Sequence, residues 1–295
     1  MIEAGIQLKN ISKSYSDGVN NKSFAIAGLD LKIAKGGFTG IYGENGSGKS
    51  TLLRLMIGLL DPDTGEVIID EFSSKDDDFV ANLRGKIGYI FQNPENQLFC
   101  GTAEEEVMFA PLNLRLSKKD IEQRRDWALA VTGLDKLRKL PPSSLSGGQK
   151  QRLAIASVLS MQPEYMLLDE PCSMLDKQGK DELLMLLVRL NSEFGMTIVL
   201  VSHDTEDILA CKRLLVMEKG EIRYDGLIDS LFVDQKKCDV LHIRRPDMYA
   251  IAEACGQKTD GFEHEKKAAT LQKLEDAICS RLLSAGMKSD FHIKQ

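Results

Sequence analysis

Alternation of apolar and polar residues opens the chain, in Ile6-Gln-Leu-Lys-Asn-Ile11 and in Phe24-Ala-Ile-Ala-Gly-Leu-Asp-Leu-Lys-Ile33, with a turn-rich stretch at residues 16–22 between them. A period of two with one apolar face predicts antiparallel sheet with one wet side. The pattern then changes. Residues 38–42 and 88–91 read as short buried strands. Residues 165–168 and 197–201 are continuous apolar runs, the mark of parallel strands covered on both faces. Residues 66–70 add a strand after the turn at 61–65, and residues 214–218 and 221–224 flank Lys219-Gly220 as a hairpin. Helical spacing fills the intervals. Residues 50–60 carry Leu52, Leu53, Met56, Ile57 and Leu60, and residues 177–191 form a second helix. Within a helical block at about 103–160, Ser117 with Asp120 makes a capping-box start for a helix that Gly133 ends. Ser146 with Gln149 opens another that Pro163 closes. The polar run at 73–78 reads as a solvated loop. The strand pattern stops near 232–240, which predicts an α/β domain over 1–235. A helical extension over 236–295 follows, with helices at 246–254 and 264–285, as a candidate dimerisation element.

Gly43-Glu-Asn-Gly-Ser-Gly-Lys-Ser-Thr51 follows the first buried strand and opens the first helix. It fits G-x-x-x-x-G-K-[ST]: backbone N–H groups wrap a polyphosphate, Lys49 reaches the terminal phosphates, and Ser50 offers a hydroxyl to Mg²⁺. Gly43, Gly46 and Gly48 permit the close backbone approach that lets N–H dipoles converge on an anion, at a helix end whose dipole favours negative charge. Pro94 stops the strand at 88–91, so Gln92 lies at a strand end where a polar side chain can face a ligand. Asp169-Glu170 ends the apolar run at 165–168. Alone the pair reads as a helix N-cap; beside a phosphate loop, Asp169 suits Mg²⁺ and its waters, while Glu170 can polarise an attacking water. Ser202-His203-Asp204 ends the next strand and gives His203 access to the same crevice. Tyr15, beside the turn at 16–22, fits either an adenine-stacking ring or an exposed rim residue. Leu145-Ser-Gly-Gly-Gln149 holds two glycines in a first helical turn, at a cost of about 1 kcal/mol each against alanine. That cost points to close approach, and bare N–H groups there form a second phosphate site. One nucleotide has no use for two such sites, so the arrangement predicts a dimer in which Ser146, Gly147, Gly148 and Gln149 close on the partner's nucleotide.

Composition adds exclusions. With 43% hydrophobic and 28% charged residues the chain is ordinary globular protein, and no apolar run approaches the roughly 18 residues of a membrane span. A membrane role is therefore expected to go through a partner. The start has neither a basic nor an apolar region of a secretion signal. Six cysteines lack C-x-x-C spacing and suit reduced thiols in the cytosol, and with the four histidines they assemble no zinc site. A net charge of −6 gives no electrostatic footprint for nucleic acid. Residues 236–295 carry eleven Lys/Arg against nine Asp/Glu, so the mild acidity belongs to the larger domain.

The phosphate loop, Gln92, the LSGGQ stretch at 145–149, the apolar strand into Asp169-Glu170, Ser173-Met-Leu-Asp176 and His203 follow one another as in the ATP-binding-cassette (ABC) ATPases, and the chain resembles that family over residues 1 to about 232. The resemblance implies a P-loop NTPase with a RecA-like core, an antiparallel β-subdomain and an inserted helical subdomain, two cassettes dimerising head to tail around two ATPs. It implies ATP bound by Tyr15, Gly43, Asn45, Gly46, Ser47, Gly48, Lys49, Ser50, Thr51, Gln92 and His203, with residues 146–149 in trans. It further implies catalysis by Glu170, His203 and Lys49, and Mg²⁺ on Ser50, Gln92 and Asp169. Cys172 stands where the family usually has Thr or Ser, and Met174 is bulkier than the common Ala or Gly. More narrowly, Phe91-Gln-Asn-Pro-Glu-Asn-Gln-Leu-Phe99 and Glu104-Glu-Glu-Val-Met-Phe-Ala-Pro111 are similar to the energy-coupling-factor ATPases and the related cobalt and nickel uptake ATPases, which carry a short C-terminal helical extension. That implies the ATP-hydrolysing subunit of an importer for a vitamin or transition metal, on the cytoplasmic face of the cell membrane. Its expected partners are a second cassette, identical or paralogous, a transmembrane coupling protein whose helices enter a groove lined by Leu98 and Phe99, and a substrate-binding membrane component. A conventional ABC transporter ATPase is the alternative. ABC ATPases of DNA repair or the ribosome generally carry a coiled-coil insertion or two fused cassettes. Here about ninety residues separate a single phosphate loop from a single LSGGQ.

Overall fold

Apolar residues at every position of 165–168 and 198–201 divide by parity between two cores. Met166, Leu168, Ile198 and Leu200 face one, and Tyr165, Leu167, Val199 and Val201 the other, because successive strand side chains point to opposite faces. The computed structural model describes residues 4–16 and 22–254. Its strands are β1 (Ala4–Ser16), β2 (Lys22–Ala34), β3 (Phe38–Tyr42), β4 (Thr64–Ile69), β5 (Phe72–Ser73), β6 (Ile87–Ile90), β7 (Tyr165–Asp169), β8 (Thr197–Ser202), β9 (Arg213–Glu218) and β10 (Glu221–Leu227). Its helices are α1 (Lys49–Met56), α2 (Phe79–Leu83), α3 (Ala103–Asn113), α4 (Lys118–Val131), α5 (Gly147–Leu159), α6 (Lys177–Phe194), α7 (Thr205–Ile208), α8 (Ile228–Phe232), α9 (Gln235–Val240) and α10 (Asp247–Ala254).

Six strands form the main sheet in the order β10-β9-β3-β8-β7-β6, and β9, β3, β8, β7 and β6 run parallel. The antiparallel sheet runs β2-β1-β4-β5. Its Ile6, Leu8, Ile11, Ile26, Leu31 and Ile33 are buried in one core with Leu52, Leu53 and Met56 of α1, as the alternation predicts. On the opposite face of the main sheet, α3, α4 and α5 contribute Ala103, Val107, Ala128, Leu129, Leu153 and Ile155 to the other core, making the inserted helical subdomain. The fold is the expected α/β P-loop architecture.

Local differences from the sequence reading have identifiable causes. Helix α1 stops at Met56, not at residue 60, because Gly58 adopts φ 70°. Leu59 N–H then returns to Arg54 O and Gly58 N–H to Leu55 O, the two bonds of a Schellman stop. Ser117 does cap α4 by accepting from Asp120 N–H, but the aspartate bonds the serine hydroxyl and does not reach back to the backbone. A full reciprocal box lies one helix earlier, between Thr102 and Glu105. Helix α6 continues to Phe194, where Gly195 at φ 66° ends it, and α2 had no periodic signal.

Two compact units divide the chain, residues 1–225 and 226–295. In the second, the Tyr249 hydroxyl of α10 donates to Asp229 Oδ1 of α8 at 2.7 Å, Arg245 Nε donates to Phe232 O of α8 at 2.6 Å, and Cys238 Sγ of α9 donates to Leu231 O of α8 at 3.5 Å. The helix expected at 264–285, together with Cys255, Cys279, His264 and His292, lies outside the described residues, as does most of the turn at 16–22. Among the described residues Cys100, Cys172, Cys211 and Cys238 are free thiols, and no helix is long and apolar enough to cross a membrane.

Candidate active site

Parallel register sets the site. Tyr42 lies opposite Ser202 and Asp169 opposite Val201, so β3, β8 and β7 end nearly level, and the segments leaving each strand converge. Leaving β3, the phosphate loop is shaped by glycines that nothing larger could replace. A Cβ on Gly48, which has φ 103°, would stand 2.3 Å from Ala25 O, and one on Gly43 would stand 2.4 Å from Met217 O. Gly48 leaves α1 without a side-chain cap and its first turn holds no acid, so the helix presents bare N–H groups to the loop. Ser47 Oγ is buried with no hydrogen-bond partner. Unspent donors on a close-packed cradle at a helix N-terminus fit a polyphosphate.

Lys49 folds back over this loop, 5% exposed, donating through Nζ to Gly43 O at 2.7 Å and Glu44 O at 3.0 Å. Burial pulls its pKa below the ordinary lysine value, against the raising influence of Glu170 and Asp169. Asn45 and Gly46 are exposed at the loop's tip. Thr51 Oγ1 lies 3.4 Å from the hydroxyl of Tyr15, which stands at the edge of the loop with 45% of its surface exposed.

The two carboxylates at the end of β7 go separate ways. Buried Asp169 accepts from Ser50 Oγ at 3.0 Å through Oδ1 and from the Tyr89 hydroxyl at 2.9 Å through Oδ2. A hydroxyl and a carboxylate side by side form an oxygen donor set suited to Mg²⁺. Glu170 adopts φ 48°, and its side chain meets different neighbours. Its Oε1 lies 3.9 Å from Lys49 Nζ, while Oε2 accepts from Gln92 Nε2 at 3.2 Å and lies 3.0 Å from His203 Nδ1. The pair is not a helix N-cap: α6 begins eight positions after Asp169 and is capped by Asp176, which accepts from Gly179 N–H at 2.8 Å. Sequence reasoning missed Tyr89. In the sequence it reads only as part of an apolar strand, and its hydroxyl becomes visible once the β6–β7 register is known. Burial, then the Asp169 charge, holds that hydroxyl's pKa far above the usual tyrosine range, so it stays a donor.

The LSGGQ stretch stands apart from this cluster. Ser146 Oγ accepts from Gln149 N–H at 3.3 Å and Gln149 Oε1 accepts from Ser146 N–H at 3.0 Å, a reciprocal capping box. Around its glycines there is room. A Cβ on Gly147 would meet nothing nearer than 3.8 Å, and one on Gly148 nothing nearer than 3.7 Å. Neither has positive φ. Two alanines would therefore fit this chain and favour the helix by about 1 kcal/mol each. Of the two departures at residues 172–174, Cys172 is buried and Met174 is exposed.

Residues 26–173 match the family described as ABC transporter. The energy-coupling factor transporter ATP-binding protein EcfA1 of Caldanaerobacter subterraneus subsp. tengcongensis is 36% identical over 93% of this chain and 98% of the relative. EcfA2 of Clostridium tetani is 38% identical over 92% of this chain and 96% of its own length. Among solved structures, cbiO1 of Clostridium perfringens, part of the ABC transporter complex cbiONQ, superposes with TM-score 0.74 at 34% identity, covering 85% of this chain and 99% of that one. The ATP-binding cassette MJ0796, solved as a dimer in a post-hydrolysis state with ADP and Pi, gives TM-score 0.68 at 34% identity over 76% of this chain and 98% of its own. With the phosphate loop, the strand-end carboxylates and the helical insert all in place, the chain belongs to the ABC transporter ATP-binding subunits of the energy-coupling-factor family.

Proposed function

We propose that the residues converging at the ends of β3, β7 and β8 form one half of an ATP-hydrolysing site, and that residues 146–149 of a second cassette supply the other half. The observation that carries this is the meeting of Lys49, Gln92 and His203 on Glu170, beside Ser50 and Asp169. Gly43, Asn45, Gly46, Ser47, Gly48 and Thr51 wrap the phosphates, Lys49 meets the β- and γ-phosphate charge, and Tyr15 stacks on the adenine. Ser50, Asp169 and Gln92 would hold Mg²⁺, which when bound would neutralise part of the phosphate charge. Glu170 takes the proton of the attacking water, and His203 contacts the γ-phosphate. The room around Gly147 and Gly148 supports completion from outside, since an open glycine backbone serves a ligand that this chain does not itself bring there.

A shared site has a kinetic consequence. ATP turnover by the purified chain is expected to rise more than linearly with its concentration through the range in which it dimerises. Linear dependence across that range, with a monomer confirmed by light scattering, rules the shared site out. Tyr89 provides a second check, on the metal. Tyr89→Phe deletes the donor to Asp169 Oδ2 and keeps the ring, so the Mg²⁺ concentration needed for half-maximal nucleotide binding should rise by about tenfold, the usual worth of an outer partner to a metal ligand. An unchanged Mg²⁺ midpoint shows that Asp169 needs no such orientation.

Hydrolysis drives import through separate membrane proteins, a transmembrane coupling component and a substrate-binding component, with this chain on the cytoplasmic face and a vitamin, cobalt or nickel as cargo. The names of its relatives support this reading, as does an exposed apolar surface: Phe99, 66% exposed, packs edge-on against the half-exposed Phe109 at 4.7 Å, beside Leu98 and the exposed Leu112. Such a patch marks an interaction site rather than a solvated face.

A further inference from the structure

His203 stands on a loop whose flanking residues are bonded to one another. Ser202 Oγ donates to Asp207 Oδ2 at 2.8 Å and accepts from Asp204 N–H at 3.0 Å. The cation that meets both carboxylates comes from another element. Lys180 Nζ donates to Asp204 Oδ2 at 2.8 Å and lies 3.4 Å from Asp207 Oδ1, an atom with no other hydrogen-bond partner on a side chain that is 4% exposed. Lys180 sits in the first turns of α6, where the helix dipole disfavours a positive charge, so helix stability does not account for it. A buried carboxylate does, because it is kept only where its charge is met. The geometry points to Lys180 as a positioning residue: by anchoring Asp204 and Asp207 it fixes the loop that sets His203 against Glu170. Because α6 starts at Lys177, just after the turn at residues 171–174, the same anchor ties His203 to that turn. This inference rests on His203 contacting the γ-phosphate.

The test compares five variants of the full chain for ATP turnover, ATP affinity and thermal midpoint. Lys180→Met keeps the length of the side chain and removes the charge, and should lower kcat by about 10- to 100-fold with ATP affinity within about twofold, the effect of a misplaced group rather than a lost binding contact. Lys180→Arg should restore most of the turnover. His203→Ala should be poorly active, and adding Lys180→Met to it should cost nothing more, since the two changes act through one group. Should Lys180→Met fail to fold around an unmet Asp207, Asp204→Asn decides. It keeps the bond to Glu206 N–H that caps α7 and weakens only the tie to Lys180, and it should lower kcat in the same way. Wild-type kcat in Lys180→Met or in Asp204→Asn, failure of Arg to rescue, or an undiminished further loss in the His203→Ala background overturns the inference while leaving the role of His203 standing. Wild-type turnover in His203→Ala overturns that role and the inference with it.

Discussion

Glu170→Gln is expected to lower ATP turnover by about 10²- to 10⁴-fold, the usual worth of a positioned general base, while ATP binding persists and an ATP-bound dimer accumulates. The amide keeps the volume and can hold one of the contacts to Gln92 and His203, but it cannot take a proton from water. Asp169→Asn should fail differently. Ser50 and Tyr89 both donate to Asp169, so an amide turns an NH₂ group toward one of two donors and weakens the oxygen set for Mg²⁺. Part of that defect should respond to added Mg²⁺, and the Glu170 defect should not. Sedimentation with ATP and an Mg²⁺ titration on both variants separate the two. If Glu170→Gln turns over at the wild-type rate, or is the variant that Mg²⁺ rescues, the assignment of base and metal ligand is reversed or wrong.

Lys49→Ala should remove tight ATP binding, with a loss of about 10²-fold or more in affinity, since charge-assisted hydrogen bonds to the terminal phosphates are worth about 1.5–3 kcal/mol each. The fold should tolerate the change. Burial pulls the Lys49 pKa down despite Glu170 and Asp169 nearby, a cost of holding the ammonium there that offsets the loss of its bonds to Gly43 O and Glu44 O, so the thermal midpoint should change little. Nucleotide titration and a melting curve run together check this. Unchanged affinity removes the central claim about the phosphate loop, whereas a collapsed midpoint shows that Lys49 holds the loop together.

The difference between Asp169 and Tyr89 illustrates what was legible in the sequence. Asp169, Lys49, Ser50 and His203 sit next to strand ends that continuous apolar runs announce, and parallel strands of similar length necessarily bring their ends together. Tyr89 and Lys180 act across registers and helix faces, where the partner lies 80 or 24 residues away and no local spacing records it. The same limit explains α2, five residues with no periodicity of their own. The early end of α1 was written locally, in Gly58, but five apolar residues at helical spacing outweighed one glycine in the reading. The room around Gly147 and Gly148 was not legible either: the sequence shows that glycines are present, and only packing shows that this chain does not need them.

The backbone of Glu170 bears on how such a protein can be improved. A non-glycine residue held at positive φ costs on the order of 1–3 kcal/mol, a sizeable part of a domain's net stability. Glycine at 170 would relieve that strain and delete the carboxylate, so a library screened for melting temperature alone will enrich inactive variants at this position. Thermostabilising this cassette therefore calls for holding residue 170 fixed, and for leaving Gly133 and Gly195 as glycines too, since they end helices at φ 70° and 66°, where any side chain would carry the same strain whatever the space around it.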